Sequence, residues 1–255
     1  MKYIESDKNP KIKLINSLKT KKYREKEGLF FAEGERIVKD GIKKAEAEFI
    51  VLSASYAEKN TVDFNGDIYV VPDKLFSYIS DTVNPQGIMG IFRLERQDAA
   101  YCDFSLNTLL LNGISDPGNM GTLIRTAEAA DFKNIVIDKK STDIFNPKTI
   151  RSTMSGVFNK NIYFCEDAGA LLSLVKEKTD IYLLALCENS KNIFEEKFEK
   201  NCLLVVGNEA NGIDRQIIDA GYRSVIIPMS GEIESLNAAV AGSIAMYEVY
   251  KNKIM

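Results

Sequence analysis

From Asn107 onward, short aliphatic runs alternate with stretches of helical spacing. Thr108-Leu-Leu-Leu-Asn112, Asn134-Ile-Val-Ile137, Asn161-Ile-Tyr-Phe164, Ile181-Tyr-Leu-Leu-Ala-Leu186, Cys202-Leu-Leu-Val-Val206 and Ser224-Val-Ile-Ile227 read as buried strands. Helices are predicted between them at 119–130, 147–158, 168–178 and 214–220. In the helix at 119–130, Leu123, Ala127 and Ala130 fall on the face expected to meet the core. Such βαβ alternation predicts a parallel sheet covered on both faces. The chain closes with a predicted helix at 236–251, in which Ala238, Ala239, Ala241, Gly242 and Ala245 are small enough to let backbones approach closely.

The first part of the chain carries a different pattern. A helix is predicted at 10–27, with Pro10 in its first turn, Ile12, Ile15 and Leu18 at helical spacing, and Gly28 as its stop. A short helix at 34–42, strands at 48–53 and 67–71, a helix starting at Pro72 and ending near Asp81, and a strand at 88–92 complete an α/β unit of ordinary domain size. The polar stretch around Leu94 to Asp103 separates the two patterns. The expected division is therefore a first domain at 1–95, a linker at 96–106 and a second domain at 107–255.

Composition narrows the function. The 255 residues are 45% hydrophobic and 27% charged, ordinary values for a globular protein of two modest domains. No run approaches the roughly 20 apolar residues that cross a bilayer, and the amino-terminal residues lack the apolar core of a signal peptide, so a cytoplasmic protein is expected. The widely spaced Cys102, Cys165, Cys187 and Cys202 are expected to be buried free thiols rather than disulfides or metal ligands. Histidine is absent, which excludes Ser-His triads and His-based metal or base chemistry. The net charge of −3 hides an asymmetry: up to Lys26 there are nine Lys or Arg against three acidic residues. Such a segment is either a solvated helix face or a surface that neutralises phosphates.

Candidate chemistry lies in three loops that follow predicted strands. The first contains Gly113 and Gly118 at P-loop spacing, but Asn119 and Met120 stand where Lys and Ser or Thr are required, and no Gly-x-Gly-x-x-Gly occurs. Nucleoside triphosphate hydrolysis and dinucleotide binding are therefore unsupported. What remains is Asn119 and Arg125, the latter otherwise a plain surface cation. The second loop, Gly207-Asn-Glu-Ala-Asn-Gly212, offers Glu209, which could equally cap a helix or sit in a solvated turn. The third, Ile227-Pro-Met-Ser-Gly-Glu-Ile-Glu-Ser-Leu-Asn237, offers Ser235 and Asn237, each also suited to N-capping the last helix.

Taken together, Asp116-Pro-Gly-Asn119-x-Gly121-x-x-x-Arg125, Gly207-Asn-Glu209-x-x-Gly212, and Ile227-Pro-Met229 with Ser235-Leu-Asn237 resemble, in order, the three motifs of the SpoU (TrmH) branch of the SPOUT RNA methyltransferases. Asn146-Pro147 and Arg151-Ser-Thr-Met-Ser155-Gly156 resemble the family segment after the first motif, and 1–95 is similar to the ribosomal-protein-like substrate-binding domain of many members.

The resemblance implies a trefoil knot with the last helix threaded through a loop. It implies S-adenosylmethionine held by backbone groups at Gly207, Asn208, Ile227, Met229 and Leu236, and no metal. It implies methyl transfer to a ribose 2′-hydroxyl by a homodimer, with Arg125 serving the neighbouring subunit's cofactor and Asn119, Glu209, Ser235 and Asn237 completing the catalytic set. Because Arg125 keeps its proton near neutral pH, it is expected to orient a phosphate and polarise the ribose. Lys11, Lys13, Lys19, Lys21, Lys22, Arg24 and Arg151 are expected to contact RNA, with ribosomal RNA expected over transfer RNA. The alternatives are a transfer RNA enzyme or a catalytically silent RNA-binding or ribosome-assembly factor.

Overall fold

A computed structural model of the chain describes residues 1–159, 161–198, 201–231 and 235–254, so positions 232–234 of the third loop lie outside the described residues. Two units result, one formed by Met1–Glu95 with Asp143–Asn159 and the other by Arg96–Thr142 with the remainder.

The first unit is built from β1 (Lys2–Tyr3), α1 (Pro10–Ser17), α2 (Lys21–Glu27), β2 (Leu29–Glu33), α3 (Glu35–Lys44), β3 (Ala47–Ser53), α4 (Ala54–Lys59), β4 (Ile68–Val71), α5 (Asp73–Ile79) and β5 (Ile88–Arg93). Its sheet has the order β1-β4-β3-β5-β2, with β1, β4 and β3 parallel and β5 antiparallel to both β3 and β2. Instead of one helix at 10–27 there are two. Asn9 caps α1 by accepting from the Lys11 amide, the chain turns at Leu18 to Thr20, and α2 ends on Gly28 in the left-handed region. The turn lets Ile12, Ile15 and Leu18 all bury fully.

The second unit contains β6 (Gln97–Asp98), β7 (Thr108–Asn112), α6 (Pro117–Ala129) and β8 (Asn134–Asp138). After α7 (Pro147–Ser152), which belongs to the first unit, come β9 (Asn161–Cys165), α8 (Ala168–Val175), β10 (Asp180–Leu184), β11 (Lys191–Asn192), β12 (Cys202–Gly207), α9 (Arg215–Ile218), β13 (Arg223–Ile226) and α10 (Ala238–Ile254). All its strand pairs are parallel, in the order β11-β13-β10-β12-β7-β8-β9-β6. Alternate residues face opposite sides. Leu110, Val136, Leu203 and Val205 share a core with Leu172 and Ile217, whereas Gly242 of α10 lies against Leu123 and Val206. Leu123, Ala127 and Ala130 are fully buried, as the helical spacing requires.

The division differs from the expected one at two places. The 96–106 stretch is no free linker: β6 pairs with β9, and Ala99, Cys102 and Phe104 join the second core. The 143–159 segment packs with the first unit, where the Phe145 ring lies tilted against Phe30 at 4.9 Å and the Phe158 ring tilted against Phe92 at 5.0 Å. The helix expected over 147–158 stops at Ser152 because Met154 and Ser155 turn into positive φ, 49° and 76°. The strand expected at 181–186 stops at Leu184. All four cysteines are free, but only Cys102 and Cys202 are buried, while Cys165 and Cys187 are partly exposed.

Candidate active site

The connections from β7 and from β12, neighbours in the sheet, run to opposite sides, so their following loops part at the carboxyl ends of the two strands. Open parallel sheets bind ligands at such a switch point. Here Glu209, just after β12, reaches the start of α6. Its Oε2 accepts from the Ser115 amide at 3.0 Å and the Ser115 hydroxyl at 2.7 Å, and its Oε1 from the Asp116 amide at 3.1 Å and Asn119 Nδ2 at 2.8 Å. Partial burial pushes this carboxyl up, but donation by Asn119 and by both groups of Ser115 outweighs that effect and brings its pKa down to about 2. Glu209 is thus an ionised tie between two loops, and its saturated oxygens leave it unsuited to collect a proton.

The tie extends to the last helix. Asn119 Oδ1 accepts from Asn237 Nδ2 at 3.0 Å, and Asn237 Oδ1 accepts from the amides of Ala239 and Val240 at 2.9 and 3.2 Å. Asn237 therefore caps α10 and binds the first loop at once, so the capping and site readings are compatible. Asp116, which opens the first motif but was assigned no site role, caps α6 by accepting from the Asn119 amide at 2.9 Å. Ser115 was passed over as well. An Asx or Ser before Pro-Gly is a legible cap signal, but its carboxylate partner 94 positions away is not.

Below β7 and β12 a second polar layer holds the same loops. Asn112 donates to Asp138 at 2.8 Å and to Asp214 at 2.9 Å, and Lys140 pairs with Asp214 at 2.8 Å. Asn208 donates to the Gly113 carbonyl at 2.7 Å, while its Oδ1 accepts from the amides of Ala210 and Asn211. Its backbone exchanges two hydrogen bonds with Gly212. Asn208 therefore shapes the turn, and its polar groups are already committed. This turn folds back so tightly on Gly207 that a Cβ there would lie 2.3 Å from the Gly212 carbonyl carbon.

Beside the tie, at the ends of β10, β12 and β13, is a cavity of about 560 Å³. Gly207, Asn208, Ile227, Met229 and Leu236, the five expected cofactor contacts, all line it, as do Glu209 and Ser235. Asn119, Arg125 and Asn237 do not. Leu184, Leu186, Ile213 and Pro228 make the walls largely apolar. Among the described residues, the loop and turn hydrogen bonds use none of the amides of Ile227, Met229 and Leu236. Apolar walls with free peptide edges fit a nucleoside-bearing ligand such as S-adenosylmethionine, with the flat base between aliphatic side chains and its edge on the backbone. Arg125 is exposed on α6 and has no side-chain partner among the described residues.

The expected RNA contacts separate. Lys13 and Lys22 are exposed. Lys11 sits over the Phe49 ring at 4.3 Å, Lys19 donates to the Ser80 carbonyl at 2.9 Å, and Lys21 lies 4.0 Å from Glu25. Arg151 pairs with Asp81 at 2.8 Å while remaining partly exposed. Contrary to expectation, Arg24 does not face solvent: it is 2% exposed, pairs with Asp143 at 2.6 Å and donates to the Leu18 carbonyl, so it is a core cation with no face for phosphate.

Known proteins resemble this chain along most of its length. The 23S rRNA (guanosine(2553)-2'-O)-methyltransferase of Bacillus subtilis is 31% identical over 98% of this chain and 99% of its own length. The 23S rRNA (uridine(2479)-2'-O)-methyltransferase of Streptomyces viridochromogenes is 26% identical over 73% of this chain and 68% of its own. The AdoMet-bound rRNA methyltransferase of Sinorhizobium meliloti superposes with a TM-score of 0.88 at 28% identity, covering 98% of this chain and 97% of that one. Residues 9–90 match the MRM3-like substrate binding domain. With residues 107–247 matching the SpoU rRNA Methylase family across the whole tied-loop site, the chain belongs to that family.

Proposed function

We propose that the protein is an S-adenosylmethionine-dependent methyltransferase that acts in the cytoplasm on a ribose 2′-hydroxyl of ribosomal RNA. The observation that carries the proposal is the tie from Glu209 through Asn119 to Asn237, which binds all three motif loops beside one apolar, backbone-edged cavity. Two relatives that span both units, the Bacillus subtilis and Sinorhizobium meliloti proteins, are named as ribosomal RNA enzymes, which favours ribosomal over transfer RNA.

When bound, the cofactor supplies a methyl group already activated on a sulfonium. The chain's task is then to place the hydroxyl in line and to stabilise loss of its proton. Gly207, Ile227, Met229 and Leu236 hold the donor, and Ser235, which lines the same cavity, adds a hydroxyl to the site. Glu209, ionised and saturated, positions the loops. The Arg125 guanidinium orients an RNA phosphate and stabilises the developing alkoxide.

Since Arg125 lies outside its own cavity lining, the site is completed by a second copy of the chain. Exposed Val240 and Tyr247 supply apolar surface on α10 for such pairing. A threaded α10 accords with Gly242, where a Cβ would come within 2.5 Å of Leu123.

Incubating the protein with tritiated methyl donor and unmodified ribosomal or transfer RNA tests the reading. Label recovered as a 2′-O-methylnucleoside from ribosomal RNA is expected. Label in transfer RNA alone would redirect the substrate, and cofactor binding without transfer to any RNA would favour a silent assembly factor.

A further inference from the structure

A second cleft, of about 270 Å³, lies wholly within the first unit, between the start of α3, the loop after α5 and the turn after α7. Its floor is organised by Glu33, 6% exposed, whose carboxylate accepts from Ser80 at 2.5 Å, from Thr82 at 2.7 Å and from the Asp81 amide at 3.0 Å. That carboxylate is occupied, as Glu209 is in the second unit. Beside it the cleft carries the mixed donor-acceptor groups of Thr82, Asn84 and Gln86 and a set of donors. Gly34 gives α3 no side-chain cap; Gln86 Oε1 takes the Glu35 amide at 2.7 Å, and the next two amides, of Arg36 and Ile37, have no acceptor among the described residues. Unsatisfied amides at the head of a helix favour an anion. Arg36, which is exposed, and Arg151, held by Asp81 through Nη1, both line the cleft.

The independent observation is Ser155. It lies in the wall of the same cleft, 1% exposed, in the left-handed region at φ 76°, and its hydroxyl has no hydrogen-bond partner. A buried hydroxyl without a partner costs stability, and a serine held in a strained backbone to keep one is unexplained unless something else accepts from it. The exposed Met154 beside it shares the strained turn.

We propose that this cleft seats a backbone phosphate of the RNA, with the head of α3, Arg36, Arg151 and the Ser155 hydroxyl as its donors. The inference rests on the functional reading above and extends it: phosphate recognition in the first unit is concentrated at this cleft rather than spread over the lysines of α1 and α2. Phosphate contacts of this kind set register on the nucleic acid without reading its sequence.

Filter binding of the full chain to a 23S rRNA transcript over a range of salt concentrations decides the matter, with Arg36→Gln and Ser155→Ala as variants. Arg36→Gln, on an exposed residue, is expected to lower affinity about tenfold and to reduce the salt slope by about one. Ser155→Ala is expected to lower affinity several-fold while leaving cofactor affinity and Tm no lower than wild type. Were the hydroxyl merely a packing defect, its removal would raise Tm and leave RNA affinity intact. Undiminished affinity in both variants, with wild-type binding and methyl transfer normal, overturns the cleft alone. No RNA binding by the wild-type chain overturns the functional reading and the cleft with it.

Discussion

Asn119 Nδ2 donates to Glu209 Oε1 at 2.8 Å, joining the first turn of α6 to the loop after β12 across 90 positions of chain. Glu209→Ala would leave two amides, a hydroxyl and the Asn119 amide group without their acceptor. A loss of about 1 kcal/mol is expected in urea unfolding, because the exposed Ser115 donors can turn to water and only the part-buried Asp116 amide and Asn119 side chain lose a partner at a cost. Calorimetric titration with S-adenosylmethionine should show weaker binding as well, because Glu209 lines the cavity. A variant of wild-type stability and affinity would mean that the tie is incidental.

The same carboxyl predicts a pH dependence. Its pKa falls from 4.5 to about 2 on folding, so its stabilisation is fully present above pH 4.5 and is lost as pH falls toward about 2. The stability gap between wild type and Glu209→Gln should therefore be constant above that window and close within it. Paired denaturation curves at stepped pH would measure the gap. A gap that opened on acidification would contradict the assignment.

Gly207→Ala is expected to be severe. Its new Cβ would run into the Gly212–Ile213 peptide group, with the carbonyl carbon at 2.3 Å and the amide nitrogen at 2.4 Å, and backbone cannot rotate away as a side chain can. Gly242→Ala meets only the flexible end of Leu123 at 2.5 Å and Val206 at 3.2 Å, so a smaller cost is expected. Overpacking of this kind costs about 1–3 kcal/mol. Melting temperatures of the two variants should rank Gly207→Ala lower, and only that variant should lose cofactor binding outright.

Arg24→Ala should destabilise the first unit by about 3–5 kcal/mol, because it strands Asp143 at 8% side-chain exposure. Replacing both partners with aliphatic residues should recover much of the loss. A double-mutant cycle by urea unfolding would separate these values. If Arg24→Ala instead kept its stability and weakened RNA binding, the residue would be a surface contact after all.

The thiols of Cys102 and Cys165 are pushed up to about 12, chiefly by burial. Both should stay unmodified by iodoacetamide near pH 8 in the folded chain and react once it is unfolded, as mass spectrometry of digests would record.

The strands of the second unit were legible because a buried parallel strand has to be a short aliphatic run: β7 matches its expected span, and β8, β9 and β12 differ by one residue at their ends. The three motif loops were legible for a related reason, since glycine and short polar side chains mark where a strand ends and backbone is exposed. The five positions expected around the cofactor do share one cavity.

What the tertiary structure alone decided is the partner of each charge. Arg24 has the same helical setting as Lys21 and Lys22, and nothing local distinguishes it; Asp143, 119 positions away, makes it a core residue. Glu209 in a glycine-rich turn reads equally as cap, base or solvated acid until Ser115 and Asn119 arrive from another strand's loop. The 143–159 segment follows a strand of the second unit, yet the rings of Phe145 and Phe158 pack in the first. Hydrophobic period is a local property of the chain and survives in the sequence. Which buried charge meets which, and which aromatic rings share a core, depend on contacts between distant segments, and those exist only once the chain has folded.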